Sequence, residues 1–381
     1  MRERWVKKPL DYLTATSISA DGKKLALTAR GQVFVAPLKK GRLVEVTRTQ
    51  GVRYRDAQFL PDGKSLIALS DESGEVEFWR LPADGIGRPR KLTQDGKILR
   101  FWGLPSPDGK KIAYADKNYE LWVLDLETNR SEKVARGMEG TPHDLAWSPD
   151  SQWLSYVLEG DNYISQILIY SIKNKKSAPA TSNRTDSYSP QFSADGKWLY
   201  FLSDRTLRSV VRSPWGPRQP EPFLNKTTKI YLVPLQNDRS IRSPFEPFDE
   251  LHLDSEKKKS STKEGQTKKP IRVRIDFAGI TERVLEVPVP AGNYGDLALS
   301  ASRLFWTQVT RDFDSVSNLQ TIEISNDSPK VESVASDISS FELTGAGKKL
   351  LIEKKKKFYS VAAKPAAEKT FKKNLKRINL I

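Results

Sequence analysis

Short apolar runs separated by polar turns fill this chain, and within the runs hydrophobic side chains recur every second residue, the period of strands rather than helices. One signature repeats five times: "SISADGKKLALTA" ending at Ala29, "AQFLPDGKSLIALSD" at Asp71, "LPSPDGKKIAYAD" at Asp116, "LAWSPDSQWLSYV" at Val157 and "PQFSADGKWLYFLSD" at Asp204. Its turn aspartates, Asp21, Asp62, Asp108, Asp150 and Asp195, are 41, 46, 42 and 45 residues apart. That is near the period of ~40–45 residues of four-stranded propeller blades. Asp-Gly suits a tight turn that needs positive φ, and a preceding Pro pre-sets the turn's first residue. The run after the turn alternates, with Leu25 and Leu27, Leu66 and Ala68, or Leu199 and Phe201 on one face. A third strand follows ("QVFVAPL" from Gln32, "EVEFWRL" from Glu75, "LWVLDL" from Leu121, "ILIYSI" from Ile167, "IYLVPL" from Ile230), then a poorer fourth ("RLVEVT" from Arg42, "RKLTQ" from Arg90). Four short strands bury too little alone, so each sheet must pack face to face on its neighbours around an axis.

Two further units keep the outline without Asp-Gly: "GDLALSASRLFWTQV" from Gly295 and "SSFELTGAGKKLLIEKK" from Ser339, with turns near Ser302 and Ala346, 44 residues apart. The 107 residues from Asp195 to Ser302 hold one blade plus a long insertion. The expected fold is therefore all-β, a seven-bladed propeller of four-stranded antiparallel blades with WD40-like or TolB-like repeats. Blades are expected to start near residues 16, 55, 100, 143, 188, 294 and 339. Inserted loops are expected at 204–228 and 236–270 in blade five, and a basic segment at 364–381 leads toward a further domain. "RINLI" from Arg377 is a candidate last strand of blade seven.

The 381 residues thus form one repeat fold rather than two or three domains. No cysteine is present, which excludes disulfides, thiol nucleophiles and cysteine-held metals. No run of 18 apolar residues spans a membrane, and the first 25 residues carry no signal-peptide pattern. A net charge of +16 points first to nucleic acid, but it is local: Lys257 to Arg274 carries a net +7 and Lys348 to Arg377 a net +10. A near-neutral body with two lysine-rich tracts reads as solvated loops, and no nucleic-acid partner is expected.

No nucleophile elbow, P-loop, dinucleotide fingerprint or zinc-protease helix occurs. His143, Asp144 and Ser148 have the residue types of a triad without its spacing, and His143 reads as a strand-end residue. His252 reads as a loop residue, and two isolated histidines make no zinc site. The turn aspartates sit on separate blades, so turn chemistry accounts for them better than calcium. Trp79, Trp122, Trp147, Trp153, Trp198 and Trp306 recur at strand positions and read as packing, whereas Trp215 lies in the insertion and is a candidate docking contact. No catalytic, cofactor or metal residue is assigned.

Four strings resemble the second propeller of tricorn-type serine proteases: "RERWVKKPLDYLTATSISADGKKLALTARGQVFVAPL" from Arg2, "FLPDGKSLIALSDESGEVEFWRLP" from Phe59, "SDRTLRSVVRSPWGPRQPEPF" from Ser203 and "IDFAGITERVLEVPVPAGNY" from Ile275. The resemblance runs over essentially the whole chain. It implies a seven-bladed domain that filters unfolded peptides through its axial channel and docks a protease that degrades oligopeptides. It also implies that a six-bladed propeller and the core with the nucleophilic serine lie outside this chain, in a homo-oligomeric cytoplasmic parent, or a periplasmic one if a signal peptide precedes it. The chain is expected to be a fragment, split product or excised domain with no catalytic residue of its own. Two other readings stand beside this one: a stand-alone protein-binding propeller of the cell-envelope scaffold type, and polyanion binding by the lysine tracts.

Overall fold

Seven antiparallel sheets follow one another along the chain, each a meander in which consecutive strands pair. The computed structural model describes residues 9–39, 41–207, 224–238, 240–247, 271–310 and 315–370. Blade one shows the plan, with strands Leu13–Ile18, Lys24–Ala29, Gln32–Pro37 and Val44–Glu45. The first strands of blades two to seven are Tyr54–Phe59, Arg100–Pro105, His143–Trp147, Ser187–Phe192, Tyr294–Leu299 and Ser340–Leu343. Six sheets have four strands, and the seventh has three among the described residues. The candidate closing strand at 377–381 lies outside them, as do Trp215 and His252. Helical structure among the described residues is confined to 3-10 turns such as Pro9–Tyr12 and Ala367–Thr370. No helix there is long and apolar enough to cross a membrane.

The second strand of each blade is buried on both faces, and its alternate residues serve two neighbours. Ala26 packs with Tyr54, Ala57 and Leu66 of blade two, while Leu25 and Leu27 pack with Leu351 of blade seven. Ile67 and Leu69 meet Ile112 and Tyr114; Ala113 meets Leu154 and Tyr156; Val157 meets Leu199 and Phe201. Tyr200 and Leu202 meet Leu304 and Trp306, and Phe305 meets Leu350 and Ile352. Each of the seven apolar clusters thus bridges one pair of neighbouring blades, and the pair formed by blades seven and one closes the ring. At that closure the Ile18 N–H donates to the Glu342 carboxylate at 3.2 Å, and Lys349 Nζ donates to the Gly22 carbonyl at 2.9 Å.

The hairpins between first and second strands explain the repeated signature. In blade one Ser19 N–H donates to Lys24 O at 3.0 Å and Gly22 N–H to Ser19 O at 2.7 Å. The Asp21 carboxylate accepts Lys23 N–H at 3.0 Å and the Ser19 hydroxyl at 2.7 Å. The left-handed residue is the one after the aspartate: Gly22, Gly63, Gly109 and Gly196, with φ between 60° and 70°, and Ser151 at 58° in the blade that lacks the glycine. Blade six needs no such residue, because Ser300 N–H reaches Arg303 O at 2.9 Å across a turn two residues shorter. Fourth strands lie farthest from the axis and vary most: only Val44–Glu45 and Arg90–Lys91 pair in blades one and two, whereas Arg130–Arg136 runs seven residues in blade three.

The fold yields two stability predictions. Trp306 is fully buried between blades five and six, and its Nε1–H has no partner. Trp306→Ala is expected to lower stability by ~3–5 kcal/mol. Trp306→Phe should cost clearly less, since it keeps an aromatic ring and removes the unpaired donor; urea denaturation of both variants checks this. Burial pushes the Glu342 carboxyl up from 4.5 to about 7, against the opposing pull of the Ile18 N–H. The folded chain therefore holds a proton that the unfolded chain releases, and stability should fall as pH rises from 4.5 to about 7. Glu342→Gln should flatten that slope in denaturation midpoints measured between those pH values; an unchanged slope contradicts the assignment.

Candidate functional site

The first strands of neighbouring blades contact one another around the axis, and each is an edge of its sheet. One edge pairs with the second strand, and on the other edge several N–H groups, among them those of Tyr54, Ala57 and Phe59, are taken by groups of the preceding blade.

A bulge interrupts this wall at one level. Asp56, Asp144, Ser189 and Asp296 have φ of 52°, 48°, 50° and 48°, and the ladder shifts register around each. Left-handed backbone is tolerated best by short polar residues, and an extra residue in a strand re-aims its side chain. Asp144 and Asp296 are exposed, and Asp56 and Ser189 partly so. Asp144 Oδ2 accepts the Ser189 N–H of the next blade at 2.8 Å, and Asp296 Oδ2 accepts the Thr307 hydroxyl at 3.0 Å. Burial holds the Asp56 carboxyl above its usual range, despite the opposing charges of Arg55 and Arg53. The corresponding residues of blades one, three and seven are Ala15, Trp102 and Ser340. The wall therefore alternates small, aromatic and acidic groups at one height.

Side chains from one first strand also cap N–H groups on the next. Ser17 Oγ accepts Phe59 N–H at 3.2 Å, and Glu342 caps the corresponding Ile18. At the start of blade three, Arg100 is 4% exposed; its guanidinium donates to Glu77 at 2.6 Å and to Asp95, and lies 5.6 Å from the Tyr114 ring centre. Glu77 also accepts the Gly96 N–H at 2.6 Å and the Thr93 hydroxyl. Two carboxylates thus neutralise the buried cation and fix the first strand's entrance.

The structure separates the residues with triad chemistry. His143 is exposed at the start of its strand, with Nδ1 3.2 Å from Thr141 O. Ser148 is fully buried at the far end, donating to Asp150 at 2.6 Å and accepting Trp153 N–H at 3.0 Å. Asp144 is engaged with Ser189, so the three form no relay. The turn aspartates are likewise occupied: Asp62, Asp108, Asp150 and Asp195 each accept a backbone N–H two residues on. Trp147 and Trp153 pack while donating to Leu104 O and Val273 O. In the second lysine tract, Lys354, Lys355 and Lys356 pair with Glu368, Asp337 and Asp11. Only Lys354 of these is largely buried in its pair, and residues 371–377 of the tract lie outside the described residues. The bulge residues escaped the sequence reading, although a signal existed: each stands six positions before the turn residue of its blade.

Comparison with known proteins agrees with this geometry. Residues 13–364 match the family model of the Tricorn protease second beta propeller domain. A chain named as the C-terminal subunit of a Tricorn-like protease in Sulfurisphaera tokodaii is 28% identical over 96% of this chain and 40% of its own length. The Tricorn protease homolog of Saccharolobus solfataricus is 26% identical over 96% of this chain and 32% of its own. The crystal structure of the tricorn protease superposes with a TM-score of 0.74 at 20% identity, covering 93% of this chain and 33% of that one. The chain thus spans well under half the length of these relatives. It belongs to the family of the Tricorn protease second beta propeller domain.

Proposed function

We propose that the chain is the non-catalytic substrate filter and docking domain of a tricorn-like serine protease. The observation that carries this is the ring of seven edge strands around one axis, interrupted at a single level by Asp56, Asp144, Ser189 and Asp296. An extended peptide can pair with those edge groups that the neighbouring blade leaves uncapped, whereas a folded domain keeps its own backbone groups for itself and is too wide to pass. Selection is then steric and backbone-directed, which suits a domain that admits many peptide sequences. Closure of the ring by the packing of Leu351 on Leu25 and Leu27 supports it, since an open ring would dilate. On this reading the nucleophilic serine and its partners belong to a protease core that this chain does not match, and the working compartment is the cytoplasm. The partners are unfolded oligopeptides, that core and the parent's other propeller, within a homo-oligomeric parent.

The isolated chain should show no turnover of fluorogenic peptides. In a relative that carries the core, removing the segment equivalent to residues 13–364 should raise cleavage of folded proteins about tenfold relative to short peptides. Because a deletion can unfold the parent, a tryptophan at the position of Ser189 provides the complementary measurement. It should slow cleavage of long unfolded peptides with little effect on dipeptide-sized substrates. Unchanged size selectivity in both, or peptidase activity in the isolated chain, contradicts the proposal.

A further inference from the structure

The hairpin turns at the face opposite the starts of the first strands form a second ring, sealed at nearly every seam. Lys24 Nζ donates to Gly63 O between blades one and two, and Lys349 Nζ to Gly22 O between seven and one. Pro61 lies against Gly109 between two and three, and Ser151 Oγ accepts Asp108 N–H between three and four. Val273 fills the seam between four and five, its N–H on Asp150 at 2.8 Å and its side chain against Gly196. Ser300 lies against Gly347 between six and seven.

Between blades five and six the turns instead stand apart around a cleft of about 720 Å³. Trp198 and Tyr200 line its inner end, and Pro244, Ile271 and Ile324 its sides. Its rim is Ala194, Asp195 and Ala301, all exposed. Ile271 is 44% exposed, unusual for an isoleucine beside a cluster of buried aromatics. None of the lining residues is basic, and Asp195 is their one charge. Its carboxylate acts on the cleft: burial first, then the Asp195 charge, raises the Tyr200 phenol above its usual range.

We propose that this cleft is a docking pocket for an extended segment of a partner protein that inserts a large apolar side chain and places a basic residue at Asp195. The volume exceeds one aromatic side chain and fits two adjacent apolar ones. The apolar walls supply affinity through area removed from water. A carboxylate that is the one charge among the described lining residues discriminates charge, favouring a basic neighbour and repelling an acidic one. The site shares no residue with the channel wall, so it stands or falls independently of the filter.

The test uses the full chain and three capped tripeptide amides: acetyl-Leu-Phe-Arg, acetyl-Leu-Phe-Glu and acetyl-Gly-Gly-Arg, titrated by calorimetry. The first should saturate with Kd of about 0.1–1 mM, and each of the other two should bind at least about tenfold more weakly. Ala301→Trp, at an exposed rim position, should fill the cleft and abolish the difference. Asp195→Asn keeps the Oδ1 acceptor that serves Lys197 N–H and should bring the Arg and Glu peptides to within about twofold of each other. Absence of saturable binding by the native chain overturns the proposal. So does binding that both variants leave unchanged, which would place the peptide elsewhere, the axial channel included.

Discussion

Two-sided burial of the second strand is the constraint on which everything else rests. Leu25 and Leu27 face one neighbour while Ala26 faces the other, and the same division recurs at Ile112 and Ala113 or at Leu304 and Phe305. A sheet of four short strands cannot shield both faces itself, so every blade requires two partners. A row of such blades is satisfied only when its ends meet. Leu351 against Ile18, Leu25 and Leu27 makes that meeting, with Glu342 and Lys349 bonded across it. Closure then has a geometric consequence: seven strand edges are left around an axis where no further strand can pair with all of them.

Much of this was legible in the residues. Repeated turns around an aspartate, followed by glycine in four of the five, located five blades, and the strand alternation located two more without that turn. The tryptophan positions read as packing are packed. The less legible parts share a physical cause. Fourth strands are outer edges with little burial, so their side chains carry weak pattern, and in blades one and two pairing shrinks to Val44–Glu45 and Arg90–Lys91. The left-handed residue of the turn is the one after the aspartate, which is why Ser151 occupies it without a glycine. Arg100 with Glu77 and Asp95 joins three residues whose partnership depends on tertiary packing. In sequence they look like ordinary surface charges.

The bulge residues show how the surface proposed for the filter can hide in a regular repeat. Asp56, Asp144, Ser189 and Asp296 break the strand pattern by one residue each, and read singly each looks like an ordinary polar residue. Only the closed ring reveals that they share a level. Similarly, the open seam between blades five and six is visible only against the other turn seams, each held by a hydrogen bond or a close approach. The long connections of blade five border that seam through Pro244 and Ile271, so the repeat's largest irregularity in sequence coincides with its largest irregularity in packing.

The central claim, that extended peptide occupies the axial channel, has a direct measurement because the chain contains no cysteine. A single thiol introduced as Asp296→Cys reports on the channel level, and Ile86→Cys, at a residue 72% exposed in a loop between third and fourth strands, reports on the periphery. Maleimide labelling of each is followed with and without a long unfolded polypeptide, and with a folded protein of equal mass. The account predicts that the unfolded polypeptide slows labelling at 296 severalfold, that the folded protein does not, and that neither affects 86. Equal protection by the folded protein, or no protection at 296 under saturating unfolded polypeptide, would contradict it.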